Sequence, residues 1–468
     1  MSSGWDMEEI PARQEPRAPS GWLLLAVLVA FEAVGVLVVF AGWPKGETVW
    51  SNAFVYQALY IPLTICTALL GGCLYAGYEL PADSAWLWNV RRQWRAYYWL
   101  NWARGHVAIV DSVVLTPEND LAERLLGLEG APPVNPDKVL ALDLDAPAGS
   151  SRLVCALESL LSPLLPVLTR LVRLGPLEIV LQTADEGDLK ELLRLMRQLR
   201  VPDRVSARWT PGSKAACMDT LWGAAPPLAG SRLVLACQLH DGQEAPEISE
   251  IAVAVLLAAP QTLAGARPPI RPQGNLCRAI TAEADGVEAA LAKLVDAGQV
   301  PAKRIKQFWY TDLSKGLRHA VTTAVGDSAL TVASHDIDRA LGRPGPAHAW
   351  LAQALAASMI GHGQGAQLVA TPCSAGVALN VVGPAPVAAV RPTDYGPLPL
   401  SLFWTMGAAG FTALLLCLDL PGKDDARDAV LPVWAYPLIW LGLTAAQVGM
   451  SIVHQRQTST AFDQVDGR

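Results

Sequence analysis

The stretch GSKAACMDTLWG, residues 212–223, sets Cys217 between a Gly-Ser-Lys turn and the start of a helix. A helix N-terminus favours thiolate over thiol, so this setting suits an acyl-accepting nucleophile. A second reading needs no chemistry: a free cysteine packs as a small hydrophobe. A nucleophilic thiol also needs a base and donors for the oxyanion. His240 ends a predicted strand, His319 lies beside Arg318 on a helix, and His335 precedes Asp336 at a helix start. His348 falls on a long predicted helix, and His362 in the loop GHGQG (361–365). Those glycines neither follow a strand nor open a long helix, as a phosphate cradle does. The 8 cysteines form no CxxC pair and no cluster with histidine. No zinc or other metal site, no cofactor and no disulfide framework is indicated.

These residues sit in a chain of 468 residues with net charge -7 and a mean hydropathy of +0.27. Its basic residues are scattered, which excludes nucleic-acid binding as a reading. Four segments have the about 20 apolar residues that a bilayer crossing needs: 21–43, 54–78, 398–420 and 431–453. Trp22, Trp43, Trp50, Trp404, Trp434 and Trp440 stand at or near their ends, where interfacial anchors belong. The tail before the first segment is acidic and has no cleavage pattern, so that segment reads as a span. Its one carboxylate, Glu32, opens a further reading as a transporter subunit whose middle region is regulatory.

Flanking charge sets the expected orientation. Arg13, Arg17, Arg91, Arg92, Arg95, Arg104, Arg391 and Arg456 fall on one side, against Lys45, Lys423 and Arg427 on the other. Both termini and the middle of the chain are therefore expected in the cytoplasm, bracketed by two membrane hairpins at 21–78 and 398–453. Residues 1–20 read as a disordered tail and 454–468 as a second tail. The stretch 84–105 reads as an amphipathic helix at the membrane surface, with Arg91, Arg92, Arg95, Trp94, Trp99 and Trp102 as its contacts.

From 106 to 384 short apolar strands alternate with amphipathic helices, the pattern of an α/β domain. HVAIVDSVVL, KVLALDLD, LEIVLQTAD, SRLVLACQLH and RIKQFWYTDL read as strands. GDLKELLRLMRQLRV and HAWLAQALAASMIGH read as helices, and Pro163 and Pro166 should kink or split a third at 151–174. The length suggests two similar α/β halves. A proline-rich linker, 385–397, leads back to the membrane.

LAKLVDAGQVPAKRIKQFWYTDLSKG is similar in layout to the thiolase-like β-ketoacyl synthases, and SRLVLACQLHDG, LGRPGPAHAWLAQALAAS and CSAGVALNVVGP resemble their other passages. The resemblance spans roughly 106–384. It implies a thiolase-like domain of two similar halves, with a cysteine nucleophile and two histidines converging on an acyl carbonyl. Here Cys217 stands for the nucleophile, but Thr311 and Arg343 fall at the expected histidine positions, and CSAG replaces a glycine-rich loop. The expectation is therefore a degenerate site without catalysis: no enzyme, but a scaffold or adaptor on the cytoplasmic face of a bacterial inner membrane. Degenerate domains of this kind resemble the lipase-adapter accessories of Gram-negative type VI secretion, which implies a secretion component or effector as protein partner. The sequence leaves self-association open. The rival reading is a membrane-associated acyl transferase or hydrolase using Cys217, with His319 or His348.

Overall fold

The structure, a computed structural model, describes residues 4–7, 9–144, 150–202, 204–212, 217–222, 228–240, 246–386, 388–392, 401–419 and 430–466. The chain divides into two compact units, Met1–Trp5 with Leu100–Ala389 and Asp6–Trp99 with Val390–Arg468.

The first unit is built on strands β1 His106–Leu115, β2 Leu177–Thr183, β3 Val205–Pro211, β4 Ser231–Gln238 and β5 Ile251–Ala258. Its second half contributes β6 Gly274–Cys277, β7 Ile280–Ala282, β8 Ile305–Tyr310, β9 Ala333–Asp336, β10 Ala366–Cys373 and β11 Gly376–Gly383. The helices are α1 Arg152–Leu174, α2 Asp188–Gln198, α3 Cys217–Trp222, α4 Val287–Asp296, α5 Lys315–Asp327, α6 Ile337–Leu341 and α7 His348–Gly361.

Strand order is β3-β2-β4-β5-β1 in the first half and β9-β8-β10-β11-β6 in the second. In both, the first three strands of the order run parallel and the next two pairings are antiparallel. An antiparallel β1–β6 pairing joins the halves, and β7 adds to β11. The expectation of two similar halves holds, carried by this repeated order and direction. The same βαβαβαββ logic is written twice, and it makes a thiolase-like α/β unit.

Strand side chains alternate between faces, and each half uses both. On the outer face of the first half Leu157, Leu160, Leu161, Leu164, Leu168 and Leu171 of α1 pack with Ile179, Leu181, Leu233 and Leu235. On the inner face Val234, Ala236, Val253 and Val255 meet α3 and α7, which also pack on β8, β10 and β11. Helix α7 is therefore enclosed by strands from both halves, and its residues from His348 to Ala357 are all buried.

Three local expectations change. Helix α1 stays one helix through Pro163 and Pro166, because its continuous leucine face is buried along the whole length. That burial outweighs the roughly 3 kcal/mol an interior proline costs. KVLALDLD forms no strand over its described residues 138–144; its backbone is held instead by side chains. Leu140 N donates to Ser249 Oγ at 3.1 Å, and Leu142 N to Glu250 Oε2 at 2.7 Å. Part of the stretch 1–20 is tied down. Trp5 is buried and donates from Nε1 to the Ala279 carbonyl at 3.1 Å, and Ile10 packs on Trp88 and Phe462.

In the second unit the helices Gly21–Gly42, Asn52–Ala103, Leu402–Asp419 and Ala435–Asp466 cover the four apolar segments. Each is long and apolar enough to cross a membrane; α1 also meets that criterion but is a core helix of the first unit. The helix at 84–105 is no separate element, being continuous with the preceding apolar segment through two π-turns at Tyr56–Tyr60 and Tyr75–Glu79. The stretch expected as a C-terminal tail continues as helix to Asp466. Of the linker, residues 387 and 393–397 lie outside the described residues. Leu402–Asp419 packs on Ile61–Leu74 so closely that a Cβ on Gly71 would strike the Gly407 backbone. Small residues allow such backbone approach, which is how apolar helices associate without a hydrophobic driving force. Gly407→Val should therefore lower the stability of the full chain in detergent by about 1–3 kcal/mol, read by thermal melting; an unchanged melt would refute the close contact.

Candidate functional site

A cavity of about 640 Å³ opens at the carboxyl ends of the parallel strands β2, β3 and β4, the usual ligand-binding edge of an open α/β sheet. Gln182 and Thr183 come from β2, Pro211 and Gly212 from the end of β3, and Gln238 from β4. Pro346 and Ala347, which lead into α7, close another side. The end of β3 and the segment that enters α7 thus both border the cavity, and Cys217 and His348 are the first residues of α3 and α7. Residues 213–216 lie outside the described residues, as does the Cys217 side chain.

His348 is fully buried. Its Nδ1 accepts a hydrogen bond from Gly345 N at 3.2 Å. A backbone N–H can only donate, so the ring proton resides on Nε2. That Nε2 is buried and has no partner among the described residues. Burial pushes the imidazole pKa down to about 4, so the ring is neutral at physiological pH. The turn that sets this tautomer leaves no room for a side chain at 345, because a Cβ there would strike the Gln238 amide. Gln238 is itself fixed, accepting from Ala347 N at 3.4 Å and donating to the Ser249 carbonyl at 2.5 Å.

Thr311 is also fully buried, but it is spoken for. Its hydroxyl donates to Asp338 Oδ1 at 2.6 Å. Asp312 N donates to both oxygens of the same carboxylate, at 3.1 and 3.0 Å, and Arg318 Nη2 lies 3.2 Å from Oδ2. Burial, with the charge of Asp336 adding to it, still raises the Asp338 pKa to about 6. Arg343 faces outward, and only its backbone is engaged, N to the Lys138 carbonyl and O to Ser249 N. The buried imidazole nearest this position is His348, at the head of α7.

Two of the other histidines are tied into the fold. His240 Nε2 lies 2.8 Å from the Ile248 carbonyl, and His335 Nε2 lies 2.8 Å from Gln307 Oε1. His319 and His362 are exposed. Among the described residues no group of three or more His, Cys, Asp or Glu is placed to hold a metal.

The predicted surface contacts divide. Arg91 reaches Asp463 at 3.1 Å, clasping two helices of its own unit, and Arg92, Trp94, Arg95 and Trp99 are half-buried. Trp102 departs from the expectation altogether. It belongs to the α/β unit, where Trp5 packs edge-on at 5.4 Å and the Arg278 guanidinium lies 4.4 Å over its ring. Periodicity could not separate a lipid-facing tryptophan from one capping a folded domain.

No family model matches the chain, and no curated protein matches it. Among solved structures it is similar to a type II PKS acyl-carrier protein in complex with its ketosynthase, at 12% identity over 60% of this chain and 99% of that one, with a TM-score of 0.44. It is also similar to a variant of OleA from Xanthomonas campestris, at 14% identity over 60% and 99%, with a TM-score of 0.38. The fold assignment rests on the duplicated strand order described above. One of these structures is of a ketosynthase, and the expectation that the domain is no enzyme is not upheld. The finer likeness to a secretion accessory gains nothing from them.

A neutral buried histidine makes the native state bind fewer protons than the unfolded state between pH 6.5 and about 4. Its contribution to stability is fully present above pH 6.5 and is lost as pH falls toward 4. Chemical denaturation across that range should show the native chain losing stability relative to a His348→Phe variant on acidification; parallel curves would contradict the buried neutral ring.

Proposed function

We propose that the chain is a membrane-anchored acyl transferase or hydrolase acting on thioesters, with Cys217 as the acyl acceptor and His348 as the donor to the carbonyl oxygen. The observation that carries this reading is the buried His348 Nε2–H, fixed in its tautomer and left without a partner among the described residues, one position after Ala347 of the cavity lining. A neutral imidazole N–H aimed at a developing oxyanion stabilises it without carrying charge of its own. The structural alternative is a core histidine tolerated with one unsatisfied donor, at a cost of about 1–3 kcal/mol.

In the first step the Cys217 sulfur bonds to the thioester carbonyl carbon, and the electron pair moves onto oxygen, where His348 donates. Collapse of that intermediate breaks the bond to the leaving sulfur, which takes the proton that Cys217 gave up. An acceptor hydroxyl, amine or water then attacks the acyl-cysteine and restores the thiol. Carbon–carbon condensation is not part of the proposal. It asks for a second base where Thr311 stands, and that hydroxyl is committed to Asp338. The helices Gly21–Gly42, Asn52–Ala103, Leu402–Asp419 and Ala435–Asp466 would hold the enzyme in the inner membrane with the α/β unit cytoplasmic, near acyl carriers and lipid. Recruitment of a secretion partner rests on the sequence resemblance alone, and no distance or cavity among the described residues adds to it.

Intact-mass analysis after exposure to a short acyl thioester should find one acyl group on Cys217 and none on Cys217→Ala. His348→Phe should slow the acylation by about 10²–10³-fold, the loss typical of one oxyanion donor. Acylation that persists in Cys217→Ala would sink the reading. In membrane fractions the chain should resist extraction by alkaline carbonate and yield only to detergent; release by carbonate would remove the anchor.

A further inference from the structure

We propose that Trp88, Asn89 and Phe462 form a recognition site for extended peptides of the pattern apolar–Pro–any–Arg, kept closed by the chain's own residues 10–13. The site lies within the helical unit and does not depend on the thioester reading.

Two helices build it. Trp88 and Asn89 stand on Asn52–Ala103, and Ala461 and Phe462 on Ala435–Asp466. Trp88 and Phe462 meet edge-on at 5.1 Å, and Ile10 is buried against both, with Ala461 beside them. Trp88 Nε1 donates to the Pro11 carbonyl at 3.0 Å. Asn89 reads the main chain two residues on. Arg13 N donates to its Oδ1 at 3.0 Å, and its Nδ2 donates to the Arg13 carbonyl at 2.9 Å. The Arg13 guanidinium lies 3.7 Å over the Trp88 ring.

Each contact selects one feature of the occupant. The space against Trp88 and Phe462 asks for an apolar side chain. Proline at the second position has no N–H to satisfy and holds the residue before it extended, so the segment is shaped before it docks. Ala12 is exposed and carries no requirement. The indole face takes a cation at the fourth position. The Asn89 amide, a donor and an acceptor side by side, pairs with one residue's N–H and C=O as a neighbouring strand would. Tying down a tail needs only the Ile10 contact. A paired main-chain amide, a bonded carbonyl and a stacked cation add specificity that a tail has no use for. The occupant in trans is therefore a partner segment carrying the same pattern. The chain's own copy, tethered at high effective concentration, shuts the site to weak competitors.

The test uses the full chain in detergent and two fluorescein-labelled peptides: one with the sequence of residues 9–17, the other with only Ile-Pro-Ala-Arg between glycine and serine flanks. An Ile10→Asp/Arg13→Glu chain, whose own segment no longer docks, should bind both by anisotropy at least about tenfold more tightly than the native chain does. Asn89→Ala in that background should weaken binding by about tenfold or more. A second arm needs no variant: in the native chain trypsin should cut after the exposed Arg17 and spare Arg13 until peptide is added in excess. No binding to the opened chain, binding indifferent to Asn89→Ala, or binding only with native flanks would each overturn the site. Equal affinity for native and opened chains, or equal cutting at Arg13 and Arg17, would overturn its closure by residues 10–13. A native dimer that the Ile10→Asp/Arg13→Glu change dissociates would give the segment to a second copy and overturn the closed assignment as well.

Discussion

Everything in the α/β unit depends on burying one helix on all sides. Helix α7 has no polar stripe: HAWLAQALAASMIG packs on β1, β5 and β6 as well as β8, β10 and β11. A helix that is hydrophobic all round is stable only in a core, so two sheet halves must close over it. Duplication of the strand order supplies those halves, and their inner faces are apolar to match. The one polar exchange that α7 makes at mid-length is the reciprocal amide pair Gln353–Asn380, at 3.0 and 2.9 Å. Both groups are fully buried, and each satisfies the other.

That same constraint buries whatever stands at the head of α7. His348 cannot reach water, and the tight turn at Gly345 gives its Nδ1 a backbone donor and nothing to its Nε2. The contrast with Thr311 is instructive. Both are fully buried polar groups near strand or helix ends of the second half, but Thr311 is closed into a network with Asp338, Asp312 and Arg318. A satisfied network stabilises and fixes geometry; an open donor leaves capacity for a ligand. Residue type alone does not report that difference.

The helical unit obeys different physics. Its packing comes from close backbone approach at Gly71, Gly407 and Gly410, and from clasps such as Trp404 Nε1 to the Leu443 carbonyl at 2.9 Å. Apolar side chains such as Trp22, Leu37, Val38 and Leu438 remain exposed in quantity. Exposed apolar surface on that scale is expected of helices solvated by lipid.

The sequence by itself determined what periodicity and composition can carry. Four apolar stretches, the alternation of strand and helix from His106 onward, and the helix at His348 are all legible, because each follows from the local spacing of apolar residues. Tertiary structure decided the rest. KVLALDLD has the pattern of a strand but is bound by the side chains of Ser249 and Glu250, which lie over a hundred positions away. Pro163 and Pro166 look like breaks until the leucine face of α1 is seen buried throughout. Gln182 reads as one polar residue in an apolar strand, and only the register with Ala236 sets it on the inner face. GSKAACMDTLWG presented a thiol without partners. The end of β3 and the residues that lead into α7 border one cavity because two distant halves fold over a shared helix, and a long-range closure of that kind leaves no trace in local spacing.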